Sequence, residues 1–262
     1  MKRSHLIFWQ LLVAVAIFAS WHLVANWPIF ADPKKVQFFF STPIAVMKRV
    51  YEFFATGIIW RHLWITLSET LLAFIIGSLS GIAAGFWLAR NPRVSAVLDP
   101  YVKMLNALPR VVLAPIFMLW FGLGIWSKVA LGVTLVFFIV FFAVYQGVKE
   151  VSQTILANAR MLGMNDRQLF RHVYWPSALS WMVSSLHASV GFALVGAVVG
   201  EYMGSAAGLG YLIHEAESTF DVTGVFAGMV VLSAFVIFID WLVTLAENRL
   251  LAWRPQAHER TT

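Results

Sequence analysis

Long apolar stretches, separated by short polar segments, run along most of the chain. A membrane-spanning helix needs about 20 largely apolar residues, and six stretches of the sequence reach that length. We expect spans at about residues 6–25, 64–89, 98–121, 125–148, 175–200 and 225–243. The first stretch has an alternative interpretation as a secretory signal peptide, because Lys2 and Arg3 precede it, although its apolar run exceeds the usual length of about 7–15 residues.

Small residues recur at every fourth position in two of the expected spans, from Ala73 to Ala89 and from Gly196 to Gly208. This spacing places them on one face of a helix, where neighbouring backbones approach closely. It therefore predicts tight helix crossings. The second series is expected to run out of its helix before Gly208.

Prolines interrupt two parts of the pattern. The third expected span contains Pro109 and Pro115, and a proline removes a backbone hydrogen bond and kinks a helix. Kinked helices at membrane depth often line a pathway, because the freed carbonyl groups need polar neighbours; the alternative is a kink accommodated by packing. Residues 26–62 contain three prolines that argue against another span, and within them residues 43–55 fit an interfacial helix.

The polar segment 149–175 lies between two spans and has a regular pattern. Apolar residues recur at helical spacing in its first half: Val151, Ile155, Ala159 and Leu162. Gly163 follows as a residue suited to end this helix in the left-handed conformation. Asn165 can then cap a second helix, with Gln168 three residues later to complete a capping box. The segment therefore predicts two helices joined by a fixed bend.

The second of these helices is expected to end near Pro176 and to carry apolar residues at the surface. Met164 and Leu169 occupy the positions of a hydrophobic staple, and Leu169 and Phe170 are expected to lie exposed beside two arginines. Such a loop could lie on the membrane as an amphipathic helix, or it could be a docking surface for a cytoplasmic partner. The pattern alone leaves both interpretations open.

The composition excludes an ordinary soluble protein. Of the 262 residues, 60% are hydrophobic and only 12% are charged, whereas soluble domains carry about 25% charged residues. These charges are too few to cover a soluble core, and lipid is the solvent that removes the need for them. Because no polar linker divides the chain, we predict an all-α, polytopic membrane protein with a single transmembrane domain over residues 1–262.

The net charge of +6 is better explained by helix orientation than by nucleic acid, because no polar basic face exists to hold a duplex. Lysines and arginines are more numerous in the segments on the side of the two termini. The positive-inside rule therefore places both termini in the cytoplasm. The sequence has no cysteine, which excludes disulfides, thiolate metal sites and cysteine nucleophiles.

The segment from Ala157 to Pro176 resembles the cytoplasmic signature of ABC importer permeases. That signature reads E-A-A, three residues, G, nine residues and then I-x-L-P. Here Ala157-Asn158-Ala159 is followed by Gly163 and then by Val173-Tyr174-Trp175-Pro176, so the spacing between Gly163 and Pro176 matches. Ala157 and Asn158 replace the first two residues of the signature.

Three further motifs are similar to those of the nitrate/sulfonate/taurine branch of that family. They are Ala107-Leu108-Pro109-Arg110 followed by Ala114-Pro115, then Leu119-Trp120-Phe121-Gly122-Leu123-Gly124, and finally Val199-Gly200-Glu201 followed by Gly208-Leu209-Gly210-Tyr211-Leu212-Ile213. The resemblance covers roughly His62 to Trp253.

The resemblance implies the type I ABC importer permease fold and a location in the bacterial inner membrane. Such a permease pairs with a second copy or a similar chain, two cytoplasmic ATPase subunits dock on its loops, and a periplasmic binding protein delivers the substrate. Segment 149–175 then becomes the ATPase-coupling loop. Its candidate residues are Ala159, Gly163, Asn165, Leu169, Phe170 and Pro176.

The sequence contains no G-x-x-x-x-G-K-[ST] motif, so we expect the chain to hold no cofactor and to leave ATP to the partner subunits. Permeases similar to this one handle nitrate, sulfonates, taurine, thiamine precursors and aromatic acids. The sequence does not choose among these substrates, although a small anionic solute is expected.

Polar residues within the expected spans are candidates for a translocation path. Arg110 lies near the middle of the third span beside Pro109, and Asn106 lies four residues earlier on the same face. This pair could line a path for an anion. Alternatively, Arg110 could be neutralised by Glu201, at the end of the fifth span.

A glycine-rich loop follows Glu201 and includes Gly208 and Gly210. A phosphate-binding interpretation is weak because no strand precedes the loop. A re-entrant or gate-forming loop near the outer face fits better. Asp240 lies in the last span, where a structural pairing role is expected.

Two other classes of function stay open at this point. A secondary transporter working alone would need an ion-coupling site at mid-membrane, and the carboxylates here are few and lie away from the centre. A haem subunit could use His22 and His187, which lie in spans without an evident second shell. A membrane-embedded enzyme would need a motif such as H-E-x-x-H or G-x-S-x-G, and the sequence has neither. We therefore expect no catalytic residue and no metal site.

Overall fold

The computed structural model describes residues 3–26 and 33–250, and these residues form helices without any strand. In chain order the helices are α1 (Arg3–Asn26), α2 (Pro33–Phe40), α3 (Pro43–Ala55), α4 (Ile58–Arg90), α5 (Pro92–Ala107), α6 (Ala114–Phe121), α7 (Ile125–Lys149), α8 (Gln153–Met161), α9 (Asp166–Leu169), α10 (Trp175–Met203), α11 (Leu209–Ser218) and α12 (Val222–Leu250). A 3-10 turn, Arg110–Leu113, precedes α6, and a π-helical segment, Phe170–Tyr174, joins α9 to α10. The expected first and last residues of the transmembrane domain lie outside the described residues.

Five helical segments are long and apolar enough to cross a membrane, and each overlaps an expected span. They are Phe8–Asn26, Ile58–Arg90, Ile125–Lys149, Asp166–Met203 and Val222–Leu245. The bent pair of α5 and α6 would make the sixth. The prediction of an all-α membrane protein with about six spans is thereby confirmed.

The third expected span is broken where a single kinked helix over residues 98–121 was expected. Leu108 and Pro109 adopt extended backbone angles, with ψ of 132° and 108°, between α5 and the 3-10 turn. A residue before a proline is pushed out of the helical region, which explains the position of the break. The two halves meet at an angle of 87°, so they cannot form one straight span.

The fifth expected span starts earlier than residue 175. The helix is continuous from Asp166 to Met203, and Pro176 lies in the first turn of α10 without ending the helix before it. A proline has no N–H to donate. The N–H of Trp175 instead reaches the carbonyl of Phe170, five residues back, and this wider turn accommodates the proline within a continuing helix.

Helices α4, α7 and α10 form the centre of the bundle, and the small-residue series mark their crossings. A Cβ added at Gly77 of α4 would lie 2.7 Å from the Cβ of Val136 in α7, and one at Gly196 of α10 would lie 2.4 Å from the Cα of Gly132 in α7. Larger side chains would hold these helices apart. Because α10 ends at Met203, Gly208 lies beyond the helix, as expected.

Helix α3 coincides with the residues expected for an interfacial helix. The side chain of Thr42 caps its start by accepting the N–H of Ala45 at 3.2 Å. Arg49 of α3 donates to Asp221 at 2.8 Å, just before α12 begins. The contact between Arg49 and Asp221 attaches α3 to the turn between α11 and α12; the position of α3 at a membrane interface remains a prediction.

Candidate functional site

The loop between α7 and α10 has one fixed bend, which two local motifs build. Gly163 adopts a φ of +79° after α8, and the N–H of Met164 donates to the carbonyl of Ala159 at 3.1 Å, as at other left-handed helix ends. Asn165 and Gln168 then form the expected capping box, with both N–H···O distances at 2.9 Å. The bend therefore arises from the residues that predicted it.

The apolar side chains of this loop divide into an inner pair and an outer pair. Leu169 is only 2% exposed, and the ring of Phe170 packs against that of Phe86 in α4 at a centroid distance of 5.2 Å. The expectation of a surface position is therefore wrong for Leu169, whereas Phe170 is partly exposed and its ring packs on the end of α4. Met161 and Leu162, at the end of α8, form the outer pair and are 82% and 80% exposed.

Arg110 lies at the break between α5 and α6 and is held by neighbours in its own chain segment. Its Nη1 donates to the carbonyls of Asn106 and Leu108, and its Nη2 donates to Asn106 Oδ1 at 2.8 Å. The guanidinium lies over the ring of Phe138 in α7, 4.9 Å from the centroid, which is a cation–π arrangement. Its Nε is buried without a hydrogen-bond partner. The structure thus brings Arg110 and Asn106 together at the broken span.

Glu201 does not neutralise Arg110, so that alternative is wrong. Among the side chains that the structure describes, no carboxylate lies within ion-pair distance of the Arg110 guanidinium. Asp240 does have a partner, since its Oδ1 lies 3.4 Å from His187 Nε2. The described residues contain no group of three or more potential metal ligands.

Glu201 lies at the end of α10, where it fixes the start of α11 from inside the protein. It is fully buried; its Oε1 accepts the hydroxyl of Thr66 at 2.6 Å, and its Oε2 accepts the N–H of Gly210 at 2.8 Å. Thr66 Oγ1 in turn accepts the N–H of Leu209 at 2.9 Å. A Cβ on Gly208 would lie 2.1 Å from the carboxyl carbon of Glu201. We call this arrangement of α4, α10 and the loop 204–210 the Glu201 latch.

Two charged residues that the sequence did not single out lie beside the Glu201 latch. Glu69 of α4 is 1% exposed, and its carboxyl group lies beside that of Glu201. Lys128 of α7 is also 1% exposed, and its Nζ donates to the carbonyls of Leu123 and Gly124. A signal was present for Glu69, because a carboxylate inside an expected span marks a site by default.

Comparison with known proteins identifies the family. Residues 77–252 match the family described as the binding-protein-dependent transport system inner membrane component, and this match covers more than half of the chain. The chain belongs to this family. Its resemblance to ABC importer permeases, given above on the motifs, is thereby confirmed.

Two relatives and one solved structure are similar to this permease. It is 32% identical to the formylaminopyrimidine transport permease protein ThiX of Halalkalibacterium halodurans over 98% of this chain and 100% of the relative. It is 30% identical to the putative aliphatic sulfonates transport permease protein SsuC of Bacillus subtilis over 93% of this chain and 87% of the relative. The fold is similar to that of a chain of the MetNI methionine ABC transporter in an inward-facing conformation, with a TM-score of 0.63 and 18% identity over 75% of this chain and 95% of that chain.

Membership of this family determines the class of function. The permease is a membrane transport subunit of an ABC importer and not an enzyme, and the importers of this family work with ATPase and substrate-binding partners. Membership of this family therefore argues against a secondary transporter working alone, a membrane-embedded enzyme and a haem subunit.

Proposed function

We propose that the permease forms the path for a small anionic solute, which a periplasmic binding protein delivers, and that two cytoplasmic ATPase subunits supply the energy. In this proposal both termini lie in the cytoplasm, the chain itself holds no cofactor, and ATP is bound only by the ATPase subunits. The observation that carries the choice of an anion is Arg110 at the broken span.

Arg110 has a charge that no described carboxylate neutralises. A guanidinium cannot lose its proton at accessible pH, and a charge at membrane depth is costly unless it has a partner or a water-filled path. Its hydrogen bonds all go to neutral groups, at Asn106 and Leu108. A solute carboxylate, sulfonate or similar anion would supply the missing negative charge and could bind the guanidinium through two parallel hydrogen bonds.

The relatives support a small solute and allow an anion. The name of the Bacillus subtilis relative gives aliphatic sulfonates as its substrate, and a sulfonate carries a negative charge. The name of the Halalkalibacterium halodurans relative gives a formylaminopyrimidine, so the family as a whole is not confined to anions. Arg110, and not the relatives, therefore carries the proposal of an anionic solute.

The exposed apolar surface of the broken span supports a second permease copy, or a similar chain, as its cover. Leu119 and Trp120 of α6 are 84% and 69% exposed, and Met104 of α5 is 59% exposed. If these helices faced only lipid, Arg110 would lie beside hydrocarbon. A second permease chain against this face would instead enclose Arg110 in a path between the two chains.

The outer pair Met161 and Leu162 supports ATPase docking on the loop. Two adjacent apolar side chains that are more than three-quarters exposed, on a bend of fixed shape, fit the few apolar anchors that usually dominate an interface. Gly163, Asn165 and Gln168 hold the shape, and Phe170 connects it to α4. A push from the ATPase at this bend would therefore be passed to a membrane-spanning helix.

Arg110→Gln is expected to reduce uptake of an anionic solute while leaving the importer assembled. A hydrogen bond to a charged group contributes about 1.5–3 kcal/mol, so uptake at limiting solute should fall about tenfold to hundredfold. The measurement is ATP-driven uptake of an aliphatic sulfonate into proteoliposomes, with ATPase copurification as the readout of assembly.

Lys103→Gln is the matched control for this test. Lys103 lies on α5 near the same break, but it is exposed and ion-paired with Asp99 at 2.7 Å, so its loss should leave uptake nearly unchanged. Unaltered uptake by Arg110→Gln would contradict the proposed role of Arg110. Failure of that variant to assemble with its ATPase would instead assign Arg110 a structural role.

A further inference from the structure

We propose that Glu69 and Glu201 hold one proton between them, and that this proton keeps the Glu201 latch closed. The inference goes beyond the proposed function, because it does not depend on which solute is transported. It gives Glu69 and Glu201 the role of a proton-binding site.

The two carboxyl groups are buried side by side. Glu69 and Glu201 are 1% and 0% exposed, and Glu69 lies about one helical turn along α4 from Thr66, whose hydroxyl donates to Glu201. The carboxyl groups of Glu69 and Glu201 are close enough to interact directly. Two ionised carboxylates are both acceptors and cannot form a hydrogen bond with each other. Glu69 Oε2 is buried and has no donor. A proton on Glu69 gives the pair a donor and turns the contact into a hydrogen bond.

The two carboxyl groups differ in their hydrogen-bond donors. Both oxygens of Glu201 already accept protein donors, from Thr66 and from Gly210, so Glu201 is the member that needs its negative charge. Glu69 lacks such donors at Oε2, so Glu69 is the member that carries the proton. Proton sharing between neighbouring carboxyls is the usual way in which a buried pair avoids two adjacent negative charges.

The charges around the pair balance when it holds one proton. Lys128 of α7 is the buried cation that faces it, and the Lys128 ammonium donates to the carbonyls of Leu123 and Gly124. One shared proton leaves one negative charge against one positive charge. Without that proton, the buried cluster would carry a net negative charge in a low-dielectric environment, which is costly.

The remaining neighbours contribute no further charge to the pair. Helix α11 presents the backbone N–H groups of Leu209 and Gly210. His62 of α4 lies on the far side of the loop, where its Nδ1 is 3.0 Å from both backbone polar atoms of Gly208. Its charged neighbours are Arg61 and Glu215. Loss of the shared proton would leave two adjacent negative charges. Their repulsion would push the Glu201 carboxylate away from its contacts with Thr66 and Gly210.

Thermal unfolding of the purified importer complex at several pH values tests this proton. If the folded protein holds a proton that the unfolded chain has lost, stability must fall as pH rises, by up to about tenfold in the unfolding equilibrium per pH unit. Between about pH 6 and about pH 9, free glutamates are already ionised. Wild-type protein should therefore lose stability across this range, and Glu69→Gln should lose less, because an amide donates the same hydrogen bond without titrating.

Three comparisons keep the test decisive. Glu201→Gln should lower the unfolding midpoint at every pH, because its amide nitrogen would face a donor, whereas Glu215→Gln removes an exposed carboxylate of α11 and should leave the pH dependence of wild type. Infrared spectra at neutral pH should contain the carbonyl stretch of a protonated carboxylic acid, which Glu69→Gln should remove. Equal pH dependence in wild type and Glu69→Gln, absence of that infrared band, or a pH dependence that added Na⁺ abolishes would each overturn the shared proton.

Discussion

Gly208→Ala is expected to destabilise the permease by about 2–5 kcal/mol and to prevent accumulation of the assembled importer. Gly208 adopts a φ of +121°, and a Cβ there would lie 2.1 Å from the carboxyl carbon of Glu201. Left-handed backbone costs an L-residue about 1–2 kcal/mol, and overpacking a buried site costs about 1–3 kcal/mol more. The measurement is the thermal unfolding midpoint of the purified chain, together with its yield in the membrane.

Gly124→Ala is the matched control for this change. Gly124 also lies in a loop, but its φ is −76° and a Cβ there would meet no atom within 4 Å. We therefore expect Gly124→Ala to change the midpoint very little. If Gly208→Ala unfolds at the same temperature as Gly124→Ala, the loop 204–210 is not held against Glu201 as the structure has it.

Replacing both Met161 and Leu162 with serine is expected to release the ATPase subunits while the permease stays folded. Truncation of an interface anchor often costs more than about 2 kcal/mol, or roughly thirtyfold in affinity. Both side chains are at least 80% exposed, so the double change removes little packing within the chain. Copurification of the ATPase with the permease, at equal permease yield, is the measurement.

Phe170→Ala separates docking at the surface from support inside the loop. Phe170 packs on Phe86, and the guanidinium of Arg90 lies over its ring at 5.7 Å from the centroid. We expect this variant to keep the ATPase better than the double serine variant but to lower the stability of the permease. Stronger ATPase loss with Phe170→Ala than with the double serine variant would show that the inner pair, and not the outer pair, forms the interface.

Local sequence chemistry was enough to predict the bend of the coupling loop. A glycine that ends one helix and an asparagine that caps the next act through hydrogen bonds within a few residues, as at Gly163 and Asn165. The apolar spans were predicted for a similar reason. A helix that crosses the bilayer needs about 20 apolar residues, whichever helices it packs against. In both cases the physical cause lies within the segment itself.

Features that depend on distant partners could not be predicted in the same way. Thr66 and Glu201 are 135 residues apart in sequence, and nothing local to Glu201 indicates that α4 supplies its hydrogen-bond donor. Pro109 predicted a kink, but the 87° angle depends on the packing around the broken span. Leu169 and Phe170 have the pattern of a surface pair, but tertiary packing buries Leu169 and places the ring of Phe170 against Phe86 of α4.

The central claim is that this permease works only with a separate ATPase, and uptake by reconstituted proteoliposomes tests it most directly. Vesicles would contain the permease alone or the permease with its ATPase subunits, and uptake of an aliphatic sulfonate would be measured with loaded binding protein, with and without ATP, and with an imposed ion gradient. We predict uptake only when the ATPase, ATP and the binding protein are all present, and no specific ATP binding by the permease alone. Uptake by the permease alone at a comparable rate, driven by an ion gradient, would contradict the account.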